Sequence, residues 1–211
     1  MWLADEFFLI AWDTAGSGAP LLHLRATSLG LAGALLGELV LAQRITVWRA
    51  EVRVTDPRPP EDALGRNVLH EMIRAPEHTD VRTWLAYLAK DSIEVVAARL
   101  IDTGLLYRTE SRLLWRKSVR YQATSYVKGA WPAVRVEKML VGGERLTPAD
   151  MALAALVEAT GLLDTILLDR RDRATARRYL ATFMATIPPP LRDVTGHVRA
   201  AVGEAVLSYR A

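Results

Sequence analysis

The chain contains no cysteine. That excludes a disulfide framework, a thiolate metal site and a cysteine nucleophile. Acids are scarce where bases gather, and lysine is scarce throughout: of 27 basic residues only Lys90, Lys117, Lys128 and Lys138 are lysines. There is no GxSxG, HExxH, P-loop or GxGxxG pattern, so the usual spacings for a nucleophile elbow, a zinc protease or a phosphate loop are missing. No uncharged run reaches the roughly 18 residues needed to cross a bilayer; the apolar run from Ala26 to Gly37 stops at Glu38. The opening MWLADEFFLIAWD is acidic and lacks the basic start of a secretory signal. The expectation is a cytoplasmic protein that lies on a membrane, if it meets one, rather than spanning it.

What is present is a chain of 211 residues, 51% hydrophobic and 24% charged, which suits one domain with a sizeable core. Net charge is +3, but it is unevenly spread. Residues 105–145 hold nine basic and three acidic side chains, whereas the rest is balanced or acidic. The densest part is Tyr107 to Tyr121, YRTESRLLWRKSVRY. As one extended strand, its second half puts Leu113, Trp115, Val119 and Tyr121 on one side and Arg112, Arg116, Ser118 and Arg120 on the other, with Leu114 and Lys117 out of phase. Cations beside Leu and Trp suit an anionic surface that also offers apolar contact. Lipid headgroups and nucleic acid both qualify, and so does the bland reading of a solvated edge hairpin.

The remaining pattern is mainly helical: helices over Leu3–Ala11, Leu29–Ala42 with Ser28 as N-cap, Glu61–Ala75, Thr79–Ala89, and a helix capped by Asp91-Ser92 and closed by Gly104. A strand spans Ile45–Val54 and a basic hairpin about 105–126. Further helices cover Val134–Leu140, Met151–Leu168 after a Thr147-Pro148 start, Arg170–Met184 and Leu191–Ser208. Gly30, Gly33 and Gly37 recur on nearly one helix face and permit close packing. The predicted fold is mainly α, a core helix bundle surrounded by amphipathic helices with a protruding β-hairpin, in a single domain over 1–211. The four histidines are scattered and no metal site is expected. A winged-helix reading would make Asp91–Asp102 a recognition helix, but DSIEVVAARLID carries one base, Arg99, and several acids, so nucleic acid is disfavoured.

The ordered set LADEFFLIAWD, GLAGALLGELVLAQRITV, AARLIDTGLLYR, LLWRKSVRY, ADMALAALVEATGLLDTILL and ATARRYLATFMA resembles the Golgi phosphoprotein 3 family, its bacterial members in particular, along nearly the whole chain. The resemblance implies a peripheral membrane protein and no enzyme, no cofactor and no metal. It implies a basic pocket for phosphatidylinositol 4-phosphate, built in eukaryotic members from one Trp and three Arg, and a hairpin that inserts into lipid or mediates homo-oligomers. Those pocket positions fall at His23, Ala32, Lys90 and Ile93, with Arg25 beside His23 as a further cation. A single lysine offers a point charge where three arginines offer bidentate forks, so the implied partner is an anionic lipid headgroup rather than the 4-phosphate specifically. The hairpin set is Arg112, Leu113, Leu114, Trp115, Arg116, Lys117, Arg120 and Tyr121. At about 1 kcal/mol per cation near a charged surface, Arg112, Arg116, Lys117 and Arg120 supply roughly 4 kcal/mol, millimolar binding on their own. The alternatives are a hairpin-mediated oligomeric adaptor without lipid specificity and the nucleic-acid binder.

Overall fold

A computed structural model of the chain describes residues 1–113 and 116–208, with the backbone alone described for 111–113, 116, 117, 207 and 208. Its elements run α1 (Leu3–Ala11), α2 (Leu24–Leu41), β1 (Ile45–Trp48), β2 (Glu51–Val54), α3 (Ala63–Arg74), α4 (Val81–Leu88), α5 (Ser92–Asp102), β3 (Leu106–Leu113), β4 (Arg116–Ala123), α6 (Tyr126–Gly142), α7 (Pro148–Ala159), α8 (Leu163–Ile166), α9 (Arg170–Phe183) and α10 (Pro189–Ser208). The fold is mainly α with two antiparallel hairpins, β1–β2 and β3–β4.

The core is organised around α2, which packs on α1, α4, α5, α7 and α10. Its glycines explain how so many neighbours fit. A Cβ on Gly30 would lie 2.2 Å from Phe7 Cζ of α1, and one on Gly33 would lie 2.3 Å from Val198 Cγ2 of α10. Separations this short leave no room for a methyl group. Among the described residues α2 is the one helix long and apolar enough to cross a membrane, and 72% of that stretch is buried in the protein. Phe7, Leu31, Leu35, Leu36, Leu153 and Leu156 fill the space around it.

Local chemistry sets most boundaries. Thr147 and Asp150 form a capping box at α7, with Pro148 at its first position. Asp62, Asp80 and Asp169 accept N-terminal amides of α3, α4 and α9. Gly104, at φ +69, follows the cap of α5. Four boundaries depart from the sequence pattern. The helix expected from Ser28 begins at Leu24 under a His23 cap, and the Ser28 hydroxyl donates to Leu24 O inside it. The strand expected over Ile45–Val54 is a hairpin whose turn places Arg49 at φ 55, a left-handed residue with no glycine to advertise it. The helix expected from Val134 starts at Tyr126 and runs through Pro132. The helix expected through Leu168 breaks at Thr160-Gly161, where Gly161 takes φ +84.

Candidate functional site

The β3–β4 hairpin is rooted in the core by aromatic packing. Tyr121 is buried and meets Phe8 and Trp12 edge-on at centroid distances of 5.5 and 5.3 Å, while Phe8 and Trp12 stack at 5.0 Å. Such geometries suit the ring quadrupoles and add to the area buried. Burial also raises the Tyr121 phenol above its ordinary pKa. The loop after α1 lies along the outer edge of β4. Tyr121 N–H donates to Gly18 O at 3.0 Å and Ala123 N–H to Thr14 O at 2.8 Å. Trp12 Nε1 donates to the same Gly18 oxygen at 2.8 Å, and the Arg120 guanidinium to Ser17 O at 2.9 Å. The Asp13–Gly18 turn thus covers the edge of β4 near its base, where an open edge would invite pairing.

The basic segment is the hairpin expected over about 105–126: β3 ends at Leu113 and β4 begins at Arg116, so Leu113 is registered with Arg116 and Arg112 with Lys117. Two readings within it are corrected, the sorting of its second half as a single strand and Tyr121 as a surface residue. Leu113 and Arg116 are cross-strand partners, so the alternation read for a single strand over Leu113 to Tyr121 does not hold across that span. Within β4 it survives, with Ser118 and Arg120 exposed, Val119 half-buried and Tyr121 buried. Tyr121 is therefore an anchor of the hairpin rather than a residue that meets a surface, and Arg120 pins the neighbouring loop. Leu114 and Trp115 lie outside the described residues, as do the side chains of Arg112, Leu113, Arg116 and Lys117.

The headgroup set divides. His23 and Arg25 line one groove of about 590 Å³ between the start of α2, α4 and α10, together with Arg82, Glu204 and Leu85. His23 caps α2, its Nδ1 accepting from Arg25 N–H at 3.2 Å. Arg82 faces Glu204 across 3.2 Å, an exposed pair of small energetic consequence. Lys90 lines a different depression, of about 460 Å³, with Trp84, Tyr87, His78 and Glu71, and its ammonium sits 5.7 Å above the Tyr87 ring. Ala86 lines both, so α4 stands between them as a ridge. Ala32 is wholly buried and Ile93 half-buried against the core. The cation that joins His23 and Arg25 is Arg82, which the sequence pattern did not single out. It sits on an amphipathic helix, and only the neighbouring α10 makes it part of a groove.

Titratable groups also gather inside the protein. Arg99 on α5 reaches Asp5 at 2.8 Å, Asp62 at 2.8 Å and Glu38 at 3.2 Å, all four nearly buried. Burial drives the Glu38 carboxyl up to about 7 against the pull of Arg99 and of the Ala4 N–H that it accepts. Arg135 similarly joins Glu6 of α1 and Asp150 of α7. Perturbed carboxylates can mark active sites, but neither cluster lines either groove above, and each binds one helix to another. Arg99 in the core also leaves α5 without a basic side chain at its surface, which removes the footing of a recognition helix. Among the described residues no group of three or more His, Cys, Asp or Glu side chains can hold a metal ion.

A family model described as Golgi phosphoprotein 3 matches residues 3–205. No curated protein matches the chain.

Proposed function

The chain belongs to the Golgi phosphoprotein 3 family, and on that premise we propose that it is a peripheral protein that binds anionic lipid headgroups, not an enzyme. The observation that carries the proposal is the run from Ser111 to Val136. It contains no acid, and of its cations Arg112, Arg116, Lys117, Arg120 and Lys128 remain for a surface once Arg135 is set aside as the partner of Glu6 and Asp150. Its hairpin is fixed to the body at its root by Tyr121. A basic hairpin on a rigid root concentrates charge where a negative surface attracts it, at about 1 kcal/mol per cation within a Debye length. The groove of His23 and Arg25 offers a second, weaker seat beside the apolar wall of Leu29 and Leu85, where a phosphate would have to displace Glu204 from Arg82 to engage both arginines.

Arg25 offers phosphate a fork where Lys90, in another depression, offers a point charge, but Arg82 beside it is already paired with Glu204. The expected ligand class is therefore the anionic headgroup in general, with little discrimination for the 4-phosphate. Vesicles of equal surface charge made with phosphatidylglycerol, cardiolipin or phosphatidylinositol 4-phosphate test this by co-sedimentation. Comparable binding to all three is expected, with Arg25→Glu/Arg82→Glu weakening each about tenfold or more. Strong preference for one phosphoinositide, untouched by that double substitution, would place the headgroup site elsewhere.

A further inference from the structure

α6 leaves the hairpin after Thr124 and Ser125. One of its sides is core: Gly129, Pro132, Val136, Met139 and Leu140 are buried and recur at the helical period. The opposite side of such a helix is ordinarily polar. Here it carries Tyr126, Val127, Trp131 and Val134, exposed to 71%, 69%, 53% and 50%. Val127, Trp131 and Val134 follow at spacings of four and three, which puts them in one row. Uncovered aromatic and branched side chains in a row mark a surface that something else covers.

We propose that this stripe seats in the boundary between headgroups and acyl chains of an anionic bilayer, as a second lipid contact beside the hairpin; the inference rests on the membrane reading above. Composition, charge and connectivity select a bilayer over another protein as the occupant. Trp and Tyr join an apolar body to a polar tip, as side chains at membrane interfaces do, and a neighbouring Lys128 can lay its stem along the apolar phase while its ammonium stays among headgroups. Lys128 makes no ion pair among the described residues. No acid occurs from Ser111 until Glu137, near the far end of the stripe, where Lys138 pairs with Glu144 at 3.7 Å. The stripe thus begins inside the most cationic part of the chain, complementary to negative lipid. The start of α6 also packs under the hairpin: a Cβ on Gly129 would fall 2.6 Å from Ala123 Cβ and 2.9 Å from Thr14 Oγ1. Hairpin root and the start of α6 are therefore in close contact.

The test uses the full chain with vesicles of phosphatidylcholine alone or mixed equally with phosphatidylglycerol. Val127→Ser/Trp131→Ser removes exposed apolar surface and leaves the core side of α6 intact, so its melting curve is expected to match wild type. Partitioning onto the mixed vesicles is expected to fall about tenfold, the effect of losing one partly seated Trp and one Val. The milder Trp131→Phe is expected to keep most of the binding, yet to lose that part of the fluorescence quenching by brominated lipid that Trp131 provides. Unchanged partitioning of the double variant, with no quenching traceable to Trp131, overturns the inference while wild-type binding leaves the broader reading intact. A double variant that binds vesicles as wild type does but scatters light as a smaller species also overturns it, in favour of an interface between copies. Wild type that fails to bind mixed vesicles overturns both readings.

Discussion

Glu38 sits in the core at the foot of α2, bound to Arg99 and to the Ala4 amide. Its carboxyl is raised from 4.5 to about 7, burial being the larger cause and Arg99 the opposing one. The sign follows from linkage. An acid whose folded pKa lies above its unfolded value binds its proton more tightly in the folded state, so its contribution is complete below about pH 4.5 and is lost as pH rises through about 7. Asp5, also raised by burial, acts in the same direction. Glu38→Gln keeps the shape without the titration, and thermal melts between pH 4.5 and 7.5 are expected to show a flatter pH dependence than wild type. An unchanged slope would remove Glu38 as its source. None of this was legible in the sequence. Asp5, Glu38, Asp62 and Arg99 are far apart in the chain, and each looks alone like a surface charge on an amphipathic helix.

At the scale of elements, legibility tracked how local the cause was. α7 declared itself through Thr147-Pro148, and α5 through Gly104, because a cap is made by residues next to the helix end. The β1–β2 turn carried no sign, since Arg49 takes a left-handed φ without a glycine. Gly161 was a stop signal inside an apolar run, hidden by the hydrophobicity on both sides. Of the candidate site, the hairpin was legible through its charge. The separation of Lys90 from His23 and Arg25 was not, because it depends on which side of α4 each lies. The glycine face of α2 was legible as close packing, and the structure resolves it into separate neighbours, Phe7 at Gly30 and Val198 at Gly33. Gly30→Ala gains helix propensity but drives a methyl group into the Phe7 ring, and overpacking of this kind costs about 1–3 kcal/mol. Chemical denaturation is expected to show that loss with an unchanged slope; a neutral or stabilised variant would mean that α1 yields easily to α2.

For the whole molecule, the central feature is a partition of charge. A net charge of +3 conceals a segment, 105–145, in which nine bases face three acids. That segment supplies the hairpin and the helix behind it, while the groove of His23, Arg25 and Arg82 lies among α2, α4 and α10. The apolar helix α2 belongs to the core and is mostly covered by its neighbours; the proposed bilayer contact rests instead on the hairpin and the stripe on α6. Attraction of this kind is electrostatic first, and screening shortens its reach from about 10 Å at 0.1 M salt to about 3 Å at 1 M. The most direct measurement is therefore co-sedimentation of the wild-type chain with neutral and with anionic vesicles across a salt series. Binding to anionic vesicles at low salt, falling steeply as salt rises and negligible on neutral vesicles throughout, is the predicted result. Equal and negligible binding to both at low salt would contradict it.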